Sequence, residues 1–297
     1  MKLAFPTELN RINFTEHLLF LKDCGVESIP LYFMNYGDKM ELAPAVPGEQ
    51  LDMMLAALVA HIIEIRSVGM SVEVLYPDFR TNIVDVVHSG EQGAEWLKKV
   101  FSTCSELGIK DIGAFPKNPK KDEIEDLDKW DAEQIDGYQK VCALADEYGL
   151  RICMHFNMSW QSRFDTVEAI DSYFERVDCD NFGILFCFGC VALVGLDVPE
   201  MLMHWKDRLF IVHLRDVEGD WSKGNSEKQF GTGSIDLKGS VAALKKIGYK
   251  GILHPEHFPI FGSEAPSGER VLFDHAWDRG PLTTAWSLGF WKGMLCD

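Results

Sequence analysis

His155, Cys187, His213 and Glu256 have the side chains of a metal centre, and they recur at an equivalent place in successive segments of this 297-residue chain. Each follows a short apolar run: LRICM precedes His155, FGILF precedes Cys187, LFIV precedes His213 and GILHP precedes Glu256. Two imidazoles, a thiolate and a carboxylate together suit a divalent cation such as Mn²⁺, Fe²⁺ or Zn²⁺. Taken singly, His155 reads equally well as a hydrogen-bonded core histidine and Cys187 as a small buried hydrophobe. The recurrence is what argues for a site. Charge also gathers where the runs end: Arg215 and Asp216 follow His213, and His257 follows Glu256. Cys190 makes a C-x-x-C spacing with Cys187, but a zinc knuckle needs a second such pair and none exists. Strand alternation puts Leu185 and Cys187 on one face and leaves Cys190 beyond Gly189, so Cys187 is expected to ligate and Cys190 is not. Neighbouring side chains on extended backbone point to different sides, so only one of Glu256 and His257 is expected to face an ion.

The elements that must carry these residues alternate from end to end. Strands are expected at 3–5, 28–33, 71–76, 109–115, 150–155, 182–187, 209–213 and 251–254. Helices are expected at 14–24, 50–68, 91–107, 132–148, 167–177, 198–206, 237–247 and 281–295. Gly69, Gly108, Gly149 and Gly248 stand where helices stop, and Pro199 falls in a first helical turn. The lysine- and acid-rich stretch 117–131 reads as an exposed loop. Eight strand–helix pairs require parallel strands, and eight is the number that closes a (β/α)₈ TIM barrel, here an α/β fold occupying residues 1–297 as a single domain. A doubly wound open sheet is disfavoured because no G-x-G-x-x-G turn follows an early strand. In such a barrel the strand ends line one rim, and strands about 4.8 Å apart let the ends of the last four reach one ion.

Composition excludes other classes. Apolar residues make 46% of the chain and charged residues 25%, which suits a globular domain with a large core. The net charge of −17 repels phosphate backbones and anionic lipid, so neither nucleic acid nor membrane is an expected partner. The eight cysteines are scattered and several sit in apolar runs, the usage of a reducing, cytoplasmic compartment. There is neither a long apolar run nor a signal-like start.

Residues 150–260 resemble the second half of mannonate dehydratases, a family with the xylose-isomerase-like barrel fold. Cys187 and Gly189 match its Cys-x-Gly turn. His213, Arg215, Asp216 and Val217 match its His-x-Arg-Asp-Val run. Gly233 and Asp236 match its Gly-x-x-Asp helix start, and Pro255 and His257 match its Arg-Pro-Asp-His segment. His155 falls at the family's strand-five histidine. The resemblance implies one Mn²⁺ or Fe²⁺ held by His155, Cys187, His213 and Glu256, with Arg215 and His257 acting on the substrate. Several positions depart from the pattern. Glu256 replaces an aspartate, and His254 stands where the family has arginine. Phe156 and Asn157 follow His155. FDHAWDRG, with His275, Trp277 and Arg279, stands where the family has a tyrosine.

The chemistry implied is loss of water from a sugar acid. The cation stabilises the enediolate that forms when the C2 proton leaves, and the C3 hydroxyl departs with acid assistance. His257 is the expected acid or base, since an imidazole serves either role near neutral pH. Arg215 is expected to fork onto the substrate carboxylate or developing oxyanion, the alternative being a rim ion pair with Asp216 or Glu218. Two other readings compete. A sugar isomerase or epimerase would use the same enediolate without expelling water; Glu73 and Glu256 suit it, whereas a histidine at the end of strand five does not. A metal-free binding subunit would have no use for four ligands at one rim. The expected partners are a small carbohydrate and, at most, further copies of the chain.

Overall fold

The computed structural model describes residues 1–7, 13–32, 48–77, 82–259 and 280–296. In chain order the elements are β1 (Lys2–Leu3), α1 (Phe14–Asp23), β2 (Leu31–Tyr32), α2 (Gly48–Ser67), β3 (Val74–Tyr76), α3 (Ile83–His88), α4 (Glu91–Glu106), β4 (Asp111–Ala114), α5 (Leu127–Asp146) and β5 (Arg151–Met154). They continue with α6 (Val167–Val177), β6 (Phe182–Cys187), α7 (Phe188–Leu193), α8 (Val198–His204), β7 (Leu209–Leu214), β8 (Val217–Asp220), β9 (Gly224–Glu227), α9 (Leu237–Lys246), β10 (Ile252–Pro255) and α10 (Gly280–Cys296). Eight strands make one sheet in the order β1-β10-β7-β6-β5-β4-β3-β2, and a parallel bridge from Ala4 to Ser28 ties the first strand to the segment that leads into the second. This is the expected (β/α)₈ barrel.

The chain divides into two units. One comprises Met1–Ile29, Met158–Trp160 and Ile184–Asp297. In it β1 pairs with β10, β10 with β7 and β7 with β6, all parallel. Its interior is aromatic: Trp291 of α10 packs edge-on against Phe230 at 5.1 Å and Phe188 at 6.4 Å. The other comprises Pro30–Asn157 and Gln161–Gly183, with β2, β3, β4 and β5 paired in parallel. There Phe156, Phe164, Tyr173, Phe174 and Phe182 form a chain of ring contacts 4.8–5.8 Å apart. Offset and edge-on geometries of this kind add to what burial alone contributes.

Local chemistry explains most element ends. Asp126, Thr166, Asp197 and Asp236 each accept a backbone N–H of the first helical turn, capping α5, α6, α8 and α9. Beyond α5 and α9 the chain turns through Gly149 (φ 67°) and Gly248 (φ 69°), conformations that a side chain would strain. Three features depart from expectation. The stretch 117–131 is not all loop, because the Asp126 cap starts α5 at Leu127 within the charged run. Two short helices, α3 and α7, follow β3 and β6. The segment after β7 folds into an antiparallel hairpin, β8–β9. Its sequence, VEGDWSKGNSE, has no apolar alternation to announce a strand. Among the described residues no helix is long and apolar enough to cross a membrane.

Candidate metal centre

Strand register assembles the site. Cys187, the last residue of β6, lies opposite His213 of β7, and His213 lies opposite His254 of β10. Paired residues of neighbouring strands share a face, so sulfur and imidazoles meet in one layer. Glu256, two residues past His254, returns to the same face. Its Oε2 lies 3.0 Å from His213 Nδ1 and 4.0 Å from Cys187 Sγ. Its Oε1 lies 3.2 Å from His257 Nε2. Cys187 and His213 are buried, and the side chains of Glu256 and His257 are only 12% and 14% exposed. Burial works to raise the Glu256 carboxyl, but the charges and hydrogen bonds of His213 and His257 outweigh it and hold the group well below the usual carboxylate range.

Of the expected ligands, Cys187 and His213 therefore each approach one oxygen of Glu256 within one unit, at 4.0 Å and 3.0 Å. The donor set fits a cation. Metal bonds of about 2.0–2.3 Å place neighbouring donors about 3–4 Å apart, the spacing found around Glu256 Oε2. The fourth, His155, belongs to the other unit, where it follows β5. It is buried, stacks on Phe115 at 5.3 Å, and its Nδ1 accepts the Asn157 backbone N–H at 3.1 Å. Asn157 adopts a left-handed φ of 47°, which turns its amide back onto the ring. A cation on His155 Nε2 would need Nδ1 to carry the proton instead, so that amide would have to release it.

His257 departs from the expected geometry. Its φ of 52° is left-handed, not extended, so the rule that adjacent side chains point to different sides does not apply. It reaches the same carboxylate that His213 reaches. His254, which in the sequence marks only a departure from the family's arginine, also belongs to the cluster. It is buried, its ring meets that of His213 edge-on at 4.7 Å, and burial followed by the charge of His213 hold its pKa well below the usual imidazole value, so it is a neutral group at the foot of the cluster.

Arg215 takes neither expected rim partner. Its Nε and Nη2 fork onto Glu227 of β9, with Nε 3.3 Å from Oε2, while Nη1 lies 3.4 Å from Cys187 Sγ and 3.5 Å from Cys190 Sγ. A Cβ on Gly189 would come within 2.5 Å of Arg215 Nε, so the glycine of the Cys-Phe-Gly-Cys turn is what lets the guanidinium lie there. Asp216, beside it, accepts the backbone N–H groups of Gly231 and Gly233 and so fixes the loop ahead of α9. Nothing in the sequence pointed to Glu227, since it pairs through a hairpin that carries no strand signal. His275, Trp277 and Arg279 lie outside the described residues.

The family described as Xylose isomerase-like TIM barrel matches residues 18–271. An inosose isomerase of Bacillus subtilis is 25% identical over 178 residues, covering 57% of this chain; the match spans 63% of that relative, less than two thirds of its length. Mannonate dehydratase 2 of Halalkalibacterium halodurans is 24% identical over 311 aligned positions, covering 99% of this chain and 79% of its own. Among solved structures, the IOLI protein with a binding zinc atom aligns over 99% of this chain and 96% of its own, with a TM-score of 0.66 and 21% identity, a likeness of fold.

Proposed function

The chain belongs to the xylose isomerase-like TIM barrel family, and from that premise we propose that it is a metal-dependent hydro-lyase. On this reading it removes the C2 proton and the C3 hydroxyl of a sugar acid and yields a 2-keto-3-deoxy sugar acid. The observation that carries the reading is the convergence of Cys187 Sγ and His213 Nδ1 on one oxygen of Glu256. Cys187, His213 and Glu256 hold a divalent cation, Mn²⁺ or Fe²⁺ with Zn²⁺ also suited. When bound, the cation supplies Lewis acidity to the substrate oxygens. His257 moves the proton: its Nε2, held by Glu256 Oε1, is placed by the left-handed turn of its own backbone. Arg215 stabilises the negative charge that develops. Similarity to mannonate dehydratase 2 across 99% of the chain supports the reading.

One observation favours a second reading. Glu227 already fills the carboxylate-binding fork of Arg215. A site whose guanidinium is neutralised in this way suits an uncharged keto-sugar or inosose, and the isomerase or epimerase reaction would then use the same proton transfer without losing water. The similarity to an inosose isomerase points the same way. Incubating the Mn²⁺-loaded protein with a panel of aldonates, keto-sugars and inososes separates the two. Formation of a 2-keto acid from an aldonate supports the lyase. Solvent-proton exchange and ketose interconversion without dehydration support the isomerase. Turnover of every panel member unchanged by chelation contradicts both.

A further inference from the structure

Cys190 has no part in the chemistry above, yet it lies against a sulfur that does. Cys187 ends β6 and Cys190 is the third residue of α7, so the pair forms a C-x-x-C turn at a strand–helix junction. One nitrogen, Arg215 Nη1, is within 3.5 Å of both sulfurs. The two sulfurs themselves lie within 4.8 Å of each other. None of the eight cysteines is in a disulfide in this structure. We propose that Cys187 and Cys190 are a reversible disulfide site, oxidised by hydroperoxides and reopened by dithiols.

The chemistry balances. The Cys187 sulfur attacks the peroxide O–O bond, becomes a sulfenic acid and releases an alcohol, or water from hydrogen peroxide. The Cys190 sulfur then displaces the sulfenic oxygen as a second water, and its proton leaves with it. Two thiols are oxidised and one peroxide is reduced. Arg215 stands beside both sulfurs and favours the anionic sulfur over which each step passes. Gly189, between the cysteines, gives the guanidinium room to do so. Cys142 provides an internal comparison, because burial followed by the charge of Cys179 pushes its thiol up.

The test is peptide mapping of the full chain, stripped of metal, after brief exposure to hydrogen peroxide and trapping with N-ethylmaleimide. The expected result is a Cys187–Cys190 link that appears before any other cysteine is modified and disappears with dithiothreitol. In Cys190→Ser the expected product is a Cys187 sulfenic acid, trapped by dimedone. Alkylation of both Cys187 and Cys190 in the wild-type chain while Cys142–Cys179 or Cys296 is oxidised overturns the proposal, and that arm needs no variant. Zinc binding by the linked chain is a separate readout. Its loss joins the disulfide to the ligand role of Cys187, and its retention leaves the disulfide site standing while removing Cys187 from the metal.

Discussion

Among the described residues each unit buries one arginine forked onto one carboxylate, and the two forks meet different surroundings. In the unit that ends in β5 and α6, Arg163 donates to Asp131 through Nε at 2.7 Å and Nη2 at 2.5 Å. The pair is closed on every side: the Tyr173 hydroxyl donates to the same carboxylate at 2.9 Å, Arg176 approaches it at 3.5 Å, and the guanidinium lies 5.7 Å and 5.5 Å from the Phe164 and Tyr173 ring centres. In the other unit Arg215 forks onto Glu227 with the same two nitrogens, but its third nitrogen faces two sulfurs, one of them a proposed metal ligand. What the third nitrogen meets separates an ion pair that fixes a loop from one that is proposed to belong to a site.

That contrast predicts a ranked set of outcomes. The largest effect on stability is expected from Asp131→Ala, which leaves the buried Arg163 charge uncompensated; urea denaturation should show a loss of about 3–5 kcal/mol. A loss under 1 kcal/mol would mean that water replaces the carboxylate easily. Arg215→Lys comes next. It should keep the metal and lower the rate of the chemical step by ~10²–10³, because an ammonium cannot reproduce the planar two-pronged contact of a guanidinium. Unchanged turnover would reduce Arg215 to a counterpart of Arg163.

A smaller change is expected from Glu227→Gln, which opens the Arg215 fork to an outside carboxylate. Binding of aldonates, measured by calorimetry, should tighten by about 10–100-fold, the worth of one charge-assisted hydrogen bond, while keto-sugar binding holds steady. Equal change for both ligand classes would show that the fork does not face the substrate. The smallest effect is expected from Cys190→Ser, whose zinc affinity should stay near that of the parent chain, since Cys187 supplies the sulfur that contacts the Glu256 carboxylate, at 4.0 Å.

Much of this was legible in the sequence, for physical reasons. The run FGILFC is apolar throughout and bounded by turn residues, and it forms β6 over the residues expected. Strand ends then located Cys187, His213 and Glu256 at once, because barrel register converts equivalent position into proximity. What stayed hidden depends on backbone conformations or pairings that periodicity does not encode. The left-handed turn at His257 put two neighbouring side chains on one carboxylate. The hairpin β8–β9 brought Glu227 to Arg215 although its residues do not alternate. Asp131 lies 32 residues from Arg163, inside a charged stretch that looked like loop until the Asp126 cap turned it into helix.

The central claim is a single cation held by Cys187, His213 and Glu256. Its most direct test is substitution of Co²⁺ into metal-free protein, followed by absorption spectroscopy. The account predicts one equivalent of Co²⁺ with a near-ultraviolet thiolate-to-cobalt charge-transfer band that Cys190→Ser retains, Cys187→Ser abolishes and His213→Ala abolishes along with the bound metal. Stoichiometric Co²⁺ without that band, or the band persisting in Cys187→Ser, would contradict it.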